Sequence, residues 1–112
     1  MATVTLSADV AMPLVQDYCQ GETFEATCGR NEIVEVTEAM YGRMNIGRCI
    51  TRDFGYLGCG VDVTDALQQE CSGLQTCSVP LPSQFLEELN NCLDELSSYL
   101  SVAYRCVEIE GV

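Results

Sequence analysis

The sequence has no histidine, no tryptophan and no lysine, and its five basic residues are all arginine: Arg30, Arg43, Arg48, Arg52 and Arg105. Without histidine, neither a Ser–His–Asp or Cys–His catalytic unit nor a His-based metal site can be assembled. Without lysine there is no Schiff-base nucleophile and no P-loop lysine. Long apolar runs are missing too: nothing approaches the roughly 18–20 residues of a membrane helix, so no membrane insertion is expected. The spacing of a calcium-binding EF-hand loop is absent, and none of Asn31, Asn45, Asn90 and Asn91 begins an Asn-x-Ser/Thr sequon. The paired carboxylates Glu87 and Glu88 carry no mark of burial or matching that would suit acid–base chemistry. The expectation is a protein that is not an enzyme and uses neither cofactor nor metal.

Acidic residues are plentiful. Seventeen Asp and Glu set a formal charge of −12 over 112 residues. Such a balance repels phosphate backbones and anionic lipid surfaces, so nucleic acid and membranes are poor partners. With 47% apolar and 20% charged residues, the chain reads as globular, and its length suits one domain, residues 1–112. The start, Met1 to Leu14, lacks the basic and apolar regions of a signal peptide.

The eight cysteines argue for an oxidising compartment nonetheless. They are Cys19, Cys28, Cys49, Cys59, Cys71, Cys77, Cys92 and Cys106, with 8, 20, 9, 11, 5, 14 and 13 residues between successive ones. No CxxC knuckle is present, so four disulfides are expected rather than a metal cluster. The residues alone leave on the order of a hundred pairings open. A secreted protein is the reading, as a mature fragment or as a module of a larger extracellular chain.

Short strands are expected over Pro13–Cys19 and Glu22–Cys28, separated by a Gln20-Gly21 turn, and period-2 patterns predict strands over Glu32–Tyr41 and Tyr99–Val107. In Glu32–Tyr41, Val34, Val36 and Met40 fall on one face and Glu35 and Thr37 on the other. In Tyr99–Val107, Leu100, Val102, Tyr104 and Cys106 alternate with Tyr99, Ser101, Ala103 and Arg105, the pattern of a strand with one buried face. Asp62 is placed to cap a helix over Val63–Cys71, with Asp65 in capping-box position. Ser83 begins a second helical segment whose leucines, Leu86, Leu89, Leu93 and Leu96, stand at helical spacing. Asn90-Asn91 weakens its middle, so one frayed helix and two short turns both fit. The leucine stripe reads as core, with Glu87-Glu88 and Asp94-Glu95 on the solvated face. Cys49–Gly60, rich in glycine, reads as a surface loop on which Phe54 and Tyr56 form either a recognition tip or a buried anchor. The order of elements gives an α+β fold: a compact antiparallel β-sandwich with two helices, stapled by four disulfides.

Three local patterns coincide with the cysteine order. They are Glu38-Ala39-Met40-Tyr41-Gly42-Arg43, Cys71-Ser-Gly-Leu-Gln-Thr-Cys77-Ser-Val-Pro80, and Tyr99-Leu-Ser-Val-Ala-Tyr-Arg-Cys106. Together they resemble the rhamnose/galactose-binding lectin domain of the sea-urchin-egg-lectin type, over a core of about 18–107. The resemblance implies a secreted, metal-independent module that binds glycans of galactosyl or rhamnosyl type without catalysis. It also implies the pairing Cys19–Cys49, Cys28–Cys106, Cys59–Cys92 and Cys71–Cys77.

The sugar contacts implied by the same resemblance fall on Gln20, Glu22, Tyr41, Gly42, Arg43, Asn90 and Asp94. Several positions depart from the family pattern. Gln20 replaces an acidic residue, Met40 an asparagine, Asn90-Asn91 an Asp-Pro pair, and Ser98 a lysine. A buried-polar reading of Tyr41-Gly42-Arg43 stands beside the sugar-binding one, with Gly42 at positive φ and Arg43 bridging to an acid. Two functions follow: a lectin, with homo-oligomer formation or repeated copies supplying avidity, or a protein-interaction module on the same scaffold. For the second, the acidic surface favours a basic partner.

Overall fold

The computed structural model describes residues 14–52, 55, 57–93 and 96–109. Its elements in chain order are β1 (Gln16–Tyr18), β2 (Thr23–Thr27), β3 (Glu32–Arg43), β4 (Cys59–Asp62), α1 (Thr64–Cys71), β5 (Thr76–Pro80), α2 (Gln84–Glu87) and β6 (Tyr99–Glu108). Two antiparallel sheets result, a four-stranded one in the order β1-β6-β3-β4 and a two-stranded one of β2 and β5. The α+β class, the antiparallel sheets and the two helices are those expected from the sequence.

The longest pairing joins β3 to β6, from Glu32 opposite Glu108 to Gly42 opposite Tyr99. A bulge between Val36 and Glu38 interrupts it. Val34 and Val36 are buried before the bulge, and Ala39 and Tyr41 after it. One extra residue reverses the alternation, because side chains in a strand change face at every step. Met40 therefore does not continue the Val34/Val36 face, as strict alternation predicts; it is only half-buried, and Tyr41 takes the core position.

Phe24 and Ala26 of β2 and Val79 of β5 close the core over Leu100 and Val102 of β6, with Leu67 and Cys71 of α1 beside them. Phe24 stands edge-on to Tyr18 and Tyr104, with ring centroids 5.3 and 5.9 Å away, the favoured geometry for aromatic quadrupoles. Helix α1 begins one residue later than expected. Asp62 Oδ1 accepts the Thr64 amide at 2.9 Å, and no side-chain capping bond is made at Val63. Thr64 meanwhile binds back to the sheet, its hydroxyl accepting the Ala39 amide at 3.0 Å.

Two strands were not visible in the sequence pattern. Cys59 and Gly60, placed in a loop by their glycine-rich context, open β4 and pair with Arg43 and Gly42. Strand β5 pairs Val79 with Phe24 and Ala26 with Cys77; its five residues bury only Val79, too few to display a period. Phe54 and Tyr56 lie outside the described residues.

The leucine stripe does not form one helix. Leu86 is fully buried, but Leu89 and Leu93 are 45% and 46% exposed. After α2 the chain tightens, Leu89 and Asn90 donating to Leu86 and Glu87 carbonyls three residues back. Asn90 Oδ1 then accepts the Cys92 amide at 3.0 Å, and Cys92 is tied to Cys59 of β4. Local side-chain bonding of this kind competes with helix continuation.

The four disulfides are Cys19–Cys49, Cys28–Cys106, Cys59–Cys92 and Cys71–Cys77, the pairing that the resemblance implied. No helix among the described residues is long and apolar enough to cross a membrane.

The paired strands β3 and β4 approach closely at Gly42 and Gly60. A Cβ on Gly42, whose φ is +155°, would stand 2.5 Å from Gly60 Cα and 2.6 Å from Cys59 O. A Cβ on Gly60 would meet the Met44 sulfur at 2.8 Å, the end of a flexible side chain. We expect Gly42→Ala to lower stability by at least about 2 kcal/mol through backbone displacement, and Gly60→Ala by about 1 kcal/mol or less. Denaturant unfolding of the two variants with disulfides intact checks the order; equal losses would contradict it.

Candidate functional site

Residues widely separated in sequence meet at the end of β3. Tyr41 and Arg43 come from that strand, which the bulge has turned so that both side chains point inward. Gln20 comes from the turn after β1, Glu87 from α2, Asn90 from the tight turn after it, and Ser97 and Ser98 from the approach to β6. Cys19–Cys49 and Cys59–Cys92 fasten two of these segments to the loops around the sheet end.

Tyr41 is fully buried. Its hydroxyl donates to Glu87 Oε2 in a short bond and accepts from Gln20 Nε2 at 3.0 Å. Gln20 Nε2 also donates to Ser98 O at 2.7 Å. Asn90 Nδ2 donates to Ser98 Oγ at 3.0 Å. Ser98, at the position of the expected family lysine, is a buried hydroxyl with 1% exposure. Next to it, Arg43 Nη1 donates to Ser97 O at 2.6 Å. Burial and the Glu87 bond, in that order, hold the Tyr41 hydroxyl well above its ordinary pKa of 10.0, so it remains protonated.

The structure thus brings Gln20, Tyr41, Arg43 and Asn90 into one polar cluster. Glu22 is engaged elsewhere. Its carboxylate accepts two bonds from Arg48, both at 2.7 Å, and one from the Cys19 amide at 2.8 Å. Arg48 Nη2 also reaches the Asp17 carbonyl, so this fork pins the β1–β2 turn. Gly42 serves the close backbone approach to Gly60 described above. Asp94 lies outside the described residues. Among the described residues Arg43 bonds to a neutral carbonyl, that of Ser97, and to no acid.

Three contributors escaped sequence reasoning: Glu87, Ser97 and Ser98. Glu87 was assigned to a solvated helix face, and it is exposed, yet one of its oxygens reaches Tyr41. No local signal marks this contact, since the partners are 46 residues apart. The serines are silent for a different reason: both act through backbone carbonyls, which every residue carries, and the added Ser98 Oγ contact is with a residue eight positions away.

The bonds from Arg48 and Cys19 lower the Glu22 pKa from 4.5 to about 2. A depressed carboxylate pKa contributes stability above its unfolded value and loses it as pH falls through the folded one. The Glu22–Arg48 contribution is therefore complete above about pH 5 and fades between about pH 4.5 and pH 2. An NMR titration of the Glu22 carboxyl carbon should find a midpoint near 2, moving towards the ordinary value in Arg48→Ala. A midpoint already near 4.5 in the parent protein would refute the fork.

Tyr41 gives the opposite sign. Its raised pKa contributes stability below pH 10 that declines as the unfolded-state phenol ionises above it. Tyr41→Phe should cost about 1–3 kcal/mol at neutral pH, because Gln20 and Glu87 lose a buried partner, and should flatten the stability loss above pH 10. A variant as stable as the parent would show that the hydroxyl carries no net weight.

Comparison with known families matches residues 26–106 to the model of a D-galactoside/L-rhamnose binding SUEL lectin domain. The matched segment contains Tyr41, Gly42, Arg43 and Asn90 and seven of the eight cysteines, while Gln20 and Glu22 precede it.

Proposed function

Because the chain belongs to the D-galactoside/L-rhamnose binding SUEL lectin family, we propose that it is an extracellular carbohydrate-binding module for galactosyl- or rhamnosyl-type glycans, acting without metal or catalysis. The observation that carries this reading is the convergence of Gln20, Tyr41, Arg43 and Asn90 on one end of the sheet, inside or next to the family-matched segment. Neutral sugars are recognised by hydrogen-bond donors and acceptors held in fixed positions, and these residues supply amide, phenol and guanidinium groups on a disulfide-fastened scaffold. The four disulfides also favour an oxidising, extracellular setting. Single sites of this polar kind bind weakly, so avidity would come from repeated copies or assembly.

A second reading has its own support. The polar groups of the cluster are largely satisfied by one another, with the Tyr41 hydroxyl already bonded to Gln20 and Glu87. A sugar entering there must displace bonds of similar quality, which leaves little net gain. On that reading the scaffold serves protein recognition, and the charge of −12 selects a basic partner with salt-dependent association.

Titration of the isotope-labelled protein with galactose and rhamnose separates the two. The lectin reading expects saturable shifts at millimolar sugar, centred on residues 20, 41–43 and 90, and weakened several-fold by Gln20→Ala. Silence across the spectrum at those concentrations would sink it and favour the protein-interaction module.

A further inference from the structure

Arg43 and Ser97, next to the polar cluster, also line an open cavity of about 500 Å3. Arg43, Thr51, Arg52 and Ser97 provide its polar wall, and Ile50 and Leu96 part of its apolar one. In a chain with seventeen acids and five arginines, two of the five line this one space.

Arg43 is the unusual member. It is only 5% exposed, and a guanidinium stays charged at any pH a folded protein survives. A buried charge ordinarily requires a counter-charge, because desolvation outweighs what neutral dipoles return. The ion pairs among the described residues are Glu22–Arg48 and Glu35–Arg105, and neither involves Arg43. Its Nη1 has the Ser97 carbonyl, while its buried Nε has no hydrogen-bond partner among the described residues. Arg52 is exposed and likewise belongs to neither of those pairs.

We infer that this cavity is a subsite for an anionic substituent, a carboxylate or sulfate carried on a sugar. The inference rests on the glycan-binding reading and narrows its substrate class to acidic saccharides. The planar fork of the exposed Arg52 suits the paired oxygens of a carboxylate or sulfate, and the buried guanidinium of Arg43 adds its charge behind it. Thr51 adds a hydroxyl, and Ile50 and Leu96 offer apolar surface to the C–H face of a pyranose ring. The long-range field opposes negative ligands. The subsite therefore takes one charged group on an otherwise neutral glycan, and a polyanionic chain is disfavoured.

The test uses the intact, oxidised protein and follows the arginine Nε–H signals by NMR while adding sodium sulfate, galactose, galacturonic acid or galactose 6-sulfate. We expect sulfate alone to shift the Arg43 and Arg52 signals. At least one acidic sugar should bind about tenfold more tightly than galactose, as a charge-assisted contact warrants. The two acids distinguish a carboxylate from a sulfate seat. Arg52→Gln should bring the acidic-to-neutral affinity ratio close to one. Arg30→Gln removes the same charge at the exposed β2–β3 turn and should leave the ratio as it was. Galactose and both acidic sugars binding equally, with arginine signals unmoved, would overturn the subsite and leave the lectin reading standing. A response to sulfate with no response to any sugar would support an anion site and overturn the saccharide assignment. A ratio preserved in Arg52→Gln would overturn the inference, and a null titration with every probe would overturn it together with the lectin reading.

Discussion

The antiparallel pairing of β3 with β6 is the constraint on which the remainder depends, and within it the bulge after Val36 is decisive. Before the bulge, β3 contributes Val34 and Val36 to the core; after it, Ala39 and Tyr41. Arg43 follows Tyr41 by two residues and shares its face. A regular strand would have buried Glu38, Met40 and Gly42 instead, placing a carboxylate in the core and the phenol and guanidinium in solvent. The single extra residue thus builds the core and the polar cluster together. It is held from both sides, by the Thr37 hydroxyl donating to the Ala103 carbonyl and by Thr64 at the start of α1 bonding to Ala39.

Around that ladder, the disulfides fasten the outlying segments to the packed core. Cys28–Cys106 joins the end of β2 to β6, and so ties the small sheet to the large one across the core. Cys71–Cys77 fixes α1 to β5. The other two restrain the segments that supply Gln20, Asn90 and the serines. Hydrophobic burial by Phe24, Leu67, Leu86 and Leu100 fills the space between the sheets. The cross-links decide which loops share the end of the sheet.

The electrostatic economy of the molecule is equally one-sided. With so few cations, four of the five arginines stand in distinct settings. Arg48 clamps the β1–β2 turn through Glu22, and Arg105 pairs across strands with Glu35 at 2.5 Å. Arg43 is sunk at the sheet end against a neutral carbonyl, and Arg52 stands at the mouth of the adjoining cavity. Tyr41, Gln20 and Glu87 satisfy one another next to Arg43, while the cavity that Arg43 also lines brings positive charge without a matching acid among the described residues. The closed polar cluster and the open cationic cavity therefore favour different ligand chemistries within a few residues of each other.

Much of this was legible in the sequence. Alternation located β2, β3 and β6, apolar spacing and Asp62 located α1, and the cysteine order with Tyr41-Gly42-Arg43 carried the family and the four pairings. Those features are local, or depend on order along the chain, and so survive without coordinates. The phase of β3 after Val36 was not legible, because a bulge leaves no mark in a run of alternating residues. Nor were β5, with a single buried side chain, or the ending of the leucine stripe at α2, which the Cys59–Cys92 tether and the Asn90 side chain impose. Glu87 bonding to Tyr41, and Ser97 and Ser98 offering backbone carbonyls, arise only when distant segments meet. Sequence by itself determined the class of fold, since composition and periodicity act residue by residue, and pointed to the family through motifs and cysteine order that run along the chain. Only tertiary structure decided which polar groups are already spent on one another and which arginine is buried without a counter-charge among the described residues, because that depends on what lies across space from each side chain.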